Sequence, residues 1–250
     1  MKKQLVAISV FLMLLVSIFS VALPTIRVSA SPSSTLHVVQ YGFRTRYTGT
    51  AQWTTADAHS GSLSLNLSTG SSSNGAAIIA LRCNLVSSTF PFEGTLSALY
   101  YAVLTYWAKN VTWTTVNFYP WVQIYLDMDD DGVFDWGPSE SDWILQGEPY
   151  YWLQYNTAPE ENGWKQFNAS TLYFFDGNYT YSYVESAHEK RTLDWYLANT
   201  PLGDEDILRL YIMVGYGASW VNTIGLVDDI ALGGIIYHGS IQDAVDAASP

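Results

Sequence analysis

Downstream of the first thirty residues, apolar and polar positions alternate in short runs rather than at helical spacing. Leu63, Leu65 and Leu67 are separated by Ser64 and Asn66, the period-two pattern of a strand with one buried face. Comparable runs rich in Val, Ile, Tyr, Trp and Thr occupy residues 36–41, 62–67, 76–83, 99–107, 121–126, 207–214 and 224–232, separated by clusters of Gly, Ser, Asn, Asp and Pro. Residues 191–199 alone suggest a helical turn or two, residues 68–73 read as a Ser-rich loop, and no repeat of solenoid period is present. Many strands with almost no helix predict an all-β fold: two antiparallel sheets packed as a β-sandwich, specifically a jelly roll.

The N-terminus breaks this pattern. Lys2 and Lys3 precede an apolar run over residues 5–23, and Val28-Ser29-Ala30 places small residues before Ser31. That order is the pattern of a signal peptide over residues 1–30, cut before Ser31. Left uncut, the same run approaches the roughly 20 apolar residues that span a bilayer and would anchor the chain to a membrane. Either way the expectation is export, to an extracellular, secreted or cell-surface location. Residues 31–238 then form the jelly-roll domain and residues 239–250 a short tail.

Without the leader, 8 Lys and Arg face 23 Asp and Glu, a formal charge of −15. Such a surface repels nucleic acid and anionic lipid and suits cations or neutral ligands such as sugars. Cys83 is the single cysteine, so an internal disulfide is excluded and stability falls to core packing and a metal. Four Asn-x-Ser/Thr sequons, at Asn66, Asn110, Asn168 and Asn178, are candidate glycosylation sites of an exported chain.

Several short motifs carry a family likeness. The segment Ala56-Asp57-Ala58-His59-Ser60-Gly61-Ser62-Leu63-Ser64-Leu65 resembles the early strand of carbohydrate-binding-module-like jelly rolls, and Gly225-Leu226-Val227-Asp228-Asp229-Ile230-Ala231-Leu232 resembles their closing strand. Gly163-Trp164-Lys165-Gln166-Phe167-Asn168 is similar to their mid-domain strand. The resemblance implies the fold and a carbohydrate-facing role, while the motifs are shared by modules with different ligands or none. At the other end, Ser240-Ile241-Gln242-Asp243-Ala244-Val245-Asp246-Ala247-Ala248 resembles the helical opening of a pectin-lyase-like parallel β-helix. That implies a longer protein whose β-helix is missing here; an amphipathic tail helix fits the same residues.

The clearest chemical signal is Asp127-Met128-Asp129-Asp130-Asp131-Gly132-Val133-Phe134-Asp135. Carboxylates of Asp127, Asp129, Asp131 and Asp135, a carbonyl at Val133 and a turn-permitting Gly132 provide most of a structural Ca²⁺ loop, because a hard cation takes six to eight oxygens. The stretch resembles dockerin-like and thrombospondin-repeat-like calcium loops, departing in that Pro138 stands at the closing position and a strand leads in. Glu140, Asp142 or water would then complete the shell. An acidic hairpin with solvated carboxylates is the alternative. Asp228-Asp229 could hold a second ion, but a strand-edge pair satisfied by backbone amides fits those residues better.

Ten Trp and 18 Tyr exceed what the core requires, so some aromatic faces are expected to stack on sugar rings. Tyr150, Tyr151 and Trp152 are the first candidates, and Tyr179, Tyr181 and Tyr183 share one strand face. Burial between sheets is the competing use. No paired-carboxylate glycosidase motif, nucleophile elbow or phosphate loop occurs, and the four His lack metal-ligand spacing. The chain is therefore expected to be no enzyme but an exported, calcium-stabilised module binding polysaccharide or a cell-surface glycan. An accessory domain of a polysaccharide-degrading enzyme and a structural spacer are the alternatives.

Overall fold

The computed structural model describes residues 37–38, 42–46, 48–72, 74–83, 92–112, 119–135, 137, 142–147, 149, 163–177, 190–215 and 221–238, all within the compact unit Leu36–Pro250. The leader, Tyr150, Tyr151, Trp152, Asn178, Tyr179, Tyr181, Tyr183 and the tail from residue 239 lie outside them. Among the described residues no helix is long and apolar enough to cross a membrane.

In chain order the strands are β1 (His37–Val38), β2 (Gly42–Arg46), β3 (Thr50–Thr54), β4 (Ser64–Ser68), β5 (Ala76–Cys83), β6 (Thr105–Thr112) and β7 (Trp121–Asp127). There follow β8 (Trp143–Gly147), β9 (Lys165–Asn168), β10 (Phe174–Gly177), β11 (Asp206–Gly215), β12 (Ile224–Leu232) and β13 (Ile235–His238). They form an all-β sandwich as the alternation predicts. Sheet A runs β1-β13-β12-β4-β3, with β6 bridging β12 and β9, and sheet B runs β10-β8-β7-β11-β5-β2. Pairing is antiparallel except between β1 and β13.

Alternating side chains build the core between the sheets. Leu65 and Leu67 of β4, Ala77, Ile79 and Leu81 of β5, and Val122, Ile124 and Leu126 of β7 meet there. The runs in β5, β7 and β11 are nearly all apolar because both of their faces are buried. Ala76, Ile78, Ala80, Cys83, Trp121, Tyr211 and Met213 form a second cluster, with Tyr125 against it, on the outer face of sheet B. Cys83 is buried there beside the Tyr211 hydroxyl, 3.4 Å away.

One expected strand is corrected. Residues 99–107 divide into helix α1 (Leu96–Ala102) and the start of β6. Thr95 caps the helix by accepting from the Ala98 N–H, Leu96 and Leu99 bury one face at helical spacing, and Val103 ends it in a left-handed conformation, φ 54°. The suggested helix is present as α2 (Leu193–Asn199).

Candidate functional site

The β7–β8 connection carries the acidic loop. Asp127 ends β7, and its Oδ2 accepts from the Gly132 N–H at 2.9 Å, curling the loop back on the strand. Gly132, at φ 78°, supplies the left-handed step, and Asp130 takes another at φ 61°. Asp142, just before β8, closes the base: its two oxygens accept from the Met128 N–H at 2.9 Å and the Asp135 N–H at 2.8 Å.

A carboxylate oxygen from each of Asp127, Asp129 and Asp142 falls within 4.8 Å of the others. Asp131 and Asp135 do not join this group. Asp131 is exposed and its Oδ1 accepts from the Val133 N–H at 2.7 Å. The third carboxylate of the group is thus Asp142, from beyond the loop. Asp127 is only 4% exposed, and its Oδ1 is buried with no hydrogen-bond partner. Burial raises the Asp142 pKa, reinforced by Asp129 and Asp127 and opposed by the two backbone N–H groups. Burial likewise raises Glu205, with Asp130, Asp127, Asp204 and Asp206 adding repulsion. This donor set, oxygen only and strongly anionic, fits a hard divalent cation.

The outer face of sheet B is aromatic. In register, Tyr125 opposes Arg209, Gln123 opposes Tyr211 and Trp121 opposes Met213. Tyr125 donates from its hydroxyl to Gln123 Oε1 at 2.8 Å. Phe134, carried in by the acidic loop, meets the Tyr125 ring edge-on at 4.6 Å between centroids, and the Arg209 guanidinium lies 5.0 Å from both rings. Tyr125, Phe134 and Arg209 are half-buried and form a wall. Trp121, further along β7 on the same face, is 5% exposed, and its indole N–H is buried without a partner. The sequence reading did not select these residues, although Trp121, Gln123 and Tyr125 stand at every second position and so share one face.

Sheet A carries a second polar constellation on its outer side. Asp228 Oδ2 accepts from the backbone N–H groups of His59 and Ser60 at 2.8 and 3.1 Å, and its Oδ1 from the Asp229 N–H at 2.8 Å. His59 Nδ1 pairs with Asp229 Oδ2 at 2.6 Å, and the Ser60 hydroxyl donates to Asp229 Oδ1. The His59 ring stacks on Trp107 at 3.6 Å. Asp57 takes Lys109 Nζ at 2.6 Å and Trp164 Nε1 at 3.3 Å. The resemblance motifs around residues 59, 164 and 228 thus meet in one clasp. Burial, then the Asp229 charge, raises the Asp228 pKa to about 6. The Lys109 hydrogen bond lowers that of Asp57.

Of the sequons, Asn66 is half-buried in β4, and Asn110 is 3% exposed with both side-chain amide atoms unpartnered inside the fold. Asn168 turns its side-chain oxygen to the N–H and hydroxyl of Ser170, at 2.9 and 2.7 Å.

No family model matches the sequence, and neither does any curated protein. Among solved structures, the chain is similar to a family 11 carbohydrate-binding module from Clostridium thermocellum in complex with a β-1,3-1,4-mixed-linked tetrasaccharide. That likeness has 13% identity and a TM-score of 0.38, covering 80% of this chain and 92% of that one. The family 11 module of a cellulosomal cellulase of the same organism also gives 13% identity and 0.38, over 81% and 92%. A xylan-binding family 22 domain from Paenibacillus barcinonensis gives 10% identity and 0.30, over 80% and 88%.

Proposed function

We propose that the chain is an exported, calcium-stabilised β-sandwich module that binds carbohydrate without turning it over. One observation supports this most: Tyr125 and Phe134 cross edge-to-face beside Arg209, on the same sheet face as Trp121, whose indole N–H has no partner. Pyranose rings present apolar C–H faces ringed by hydroxyls. They are held by aromatic surfaces flanked by a few fixed polar groups. The wall supplies the surface, Arg209 the outer donors, and Trp121 a donor whose burial without an acceptor is otherwise unfavourable.

Tyr150, Tyr151 and Trp152 belong to the same reading as further stacking residues, and a polysaccharide or a cell-surface glycan is the partner. Export is read from the leader and is checked by N-terminal sequencing of secreted protein, with Ser31 expected first. Structural Ca²⁺ belongs at the acidic loop.

The test is retention of the chain from Ser31 onward on insoluble mixed-linkage β-glucan, xylan and cellulose, alongside a soluble glycan array. Tyr125→Ala and Arg209→Ala should abolish retention while melting within a few degrees of wild type, and no reducing sugar should be released. Retention of the wild type on no glycan would leave the spacer reading in its place.

A further inference from the structure

We infer that a divalent cation held by Asp127, Asp129 and Asp142 sets the position of Phe134, and so makes the aromatic wall cation-dependent. The consequence for sugar binding rests on the carbohydrate reading; the cation site and its effect on Phe134 do not.

Two independent observations support the site. Three carboxylates crowd within 4.8 Å, and one of them, Asp127, only 4% exposed, carries an Oδ1 that is buried with no hydrogen-bond partner. Among the described residues no Lys, Arg or His pairs with any of the three: the ion pairs found are His59–Asp229, Arg82–Glu93 and Lys109–Asp57. A buried carboxylate oxygen without donor or counter-charge is costly. A hard cation with carboxylate, loop-carbonyl and water oxygens satisfies it, and Ca²⁺ tolerates such an irregular shell better than Mg²⁺.

The link to the wall is short. Asp142 holds the loop at both ends through Met128 and Asp135. Phe134 is the residue next to that second anchor, and its ring packs on Tyr125 beside Arg209. With the cation absent, three like charges push Asp142 away from Asp127 and Asp129, loosening the Met128 and Asp135 anchors together. With it present, the carboxylates converge and Phe134 is fixed against Tyr125. A ligand that binds one loop arrangement shifts the population toward it.

Calcium titrations followed by calorimetry should show one site in wild type and in Asp131→Asn, with an affinity near the 10⁻⁴ to 10⁻³ M of extracellular modules. Asp142→Asn and the exposed-site variant Asp129→Asn should each weaken it at least tenfold. Loss in Asp131→Asn with retention in both other variants would overturn the assignment, as would no binding by wild type. The second measurement is the near-ultraviolet dichroism of the aromatic wall. Ca²⁺ should change it in wild type, and Phe134→Leu, which still binds Ca²⁺, should lose the change. Binding without any spectral response in wild type overturns the link.

The third is retention on mixed-linkage β-glucan or xylan, which should rise at least fivefold from chelator to Ca²⁺ in wild type and stay flat in Asp142→Asn. Equal retention by wild type in chelator and Ca²⁺ overturns the dependence. If wild type is retained on neither, the carbohydrate reading fails, and the first two measurements still decide the inference.

Discussion

Two acidic constellations sit on opposite sheets and differ in how their charges are met. On sheet A every oxygen of Asp228 and Asp229 that the clasp employs faces a donor within the chain: backbone N–H groups of His59, Ser60 and Asp229, the His59 ring and the Ser60 hydroxyl. On sheet B backbone donors meet Asp127 Oδ2 and both Asp142 oxygens, and Asp127 Oδ1 has none. The first is closed and structural, joining the β3–β4 turn to β6, β9 and β12. The second, among the described residues, leaves a buried acceptor unmet, as the proposed cation site requires. Clustered carboxylates therefore do not share one role; the count of unmet acceptors separates them.

The comparison breaks most readily at Asp228. Removing its carboxylate in Asp228→Ala strands three part-buried backbone N–H groups, those of His59 and Ser60 in the turn and of Asp229 in β12, each worth about 1 to 3 kcal/mol when left unmet. A loss of at least about 3 kcal/mol in denaturant unfolding is expected, identical in Ca²⁺ and in chelator. A loss that Ca²⁺ repairs would mean that the clasp, too, is a cation site.

The next effect is on pH. Asp228 is raised to about 6 in the folded state from an ordinary 3.8. The folded protein holds this proton more tightly, so the group's contribution to stability is full below its ordinary 3.8 and is lost as pH rises through about 6. Melting temperatures of wild type and Asp228→Asn across that window should differ in slope, with the variant flatter. Parallel curves would show that the donors around Asp228 cancel its burial.

A smaller effect, of opposite sign to the first, is expected at the open group. Asp127→Asn keeps an oxygen for the Gly132 N–H while removing one of three like charges. In chelator it should stabilise the domain by about 1 kcal/mol, the scale of two like charges about 4 Å apart in water, and in saturating Ca²⁺ it should destabilise. Destabilisation in both conditions would class the group with the closed clasp.

The sequence showed these two regions unequally. Strands β5 and β12 coincide with the expected runs because apolar residues fill them between glycine-bearing turns, Gly75 before one and Gly233 after the other. The segment from residue 99 was misread because Tyr100, Tyr101 and Val103 carry strand-like side chains, whereas the helix is set by the Thr95 cap and the Leu96–Leu99 spacing. His59 and Asp228 were noticed only as separate motifs; 169 positions part them, and only sheet pairing joins them. The acidic loop was legible, but its geometry was not. Counting along the chain favours Asp131 and Asp135 and offers Asp142 only as one way to complete the shell, while the hairpin returns Asp142 to the group from just before β8. Trp121, Gln123 and Tyr125 showed their common face plainly, yet β7 gave no sign of which face lies outside.

The smallest effect tests the rim of the clasp, at Lys109 and Asp57. Their ion pair is short, 2.6 Å, but the side chains are 25% and 37% exposed, so water screens the attraction and two flexible chains lose freedom to make it. Trp164 Nε1 holds the other Asp57 oxygen at 3.3 Å, so Asp57 keeps a donor when Lys109 is removed. Lys109→Ala should therefore cost less than about 1 kcal/mol at low salt. At 1 M salt, where screening acts over about 3 Å, the cost should shrink further. Asp57→Asn should behave alike, and the double variant should lose little more than either single one. A cost above about 2 kcal/mol that salt leaves unchanged would place this pair with Asp228 as part of the buried clasp, and would move the boundary between the closed and screened charges outward to the edge of sheet A.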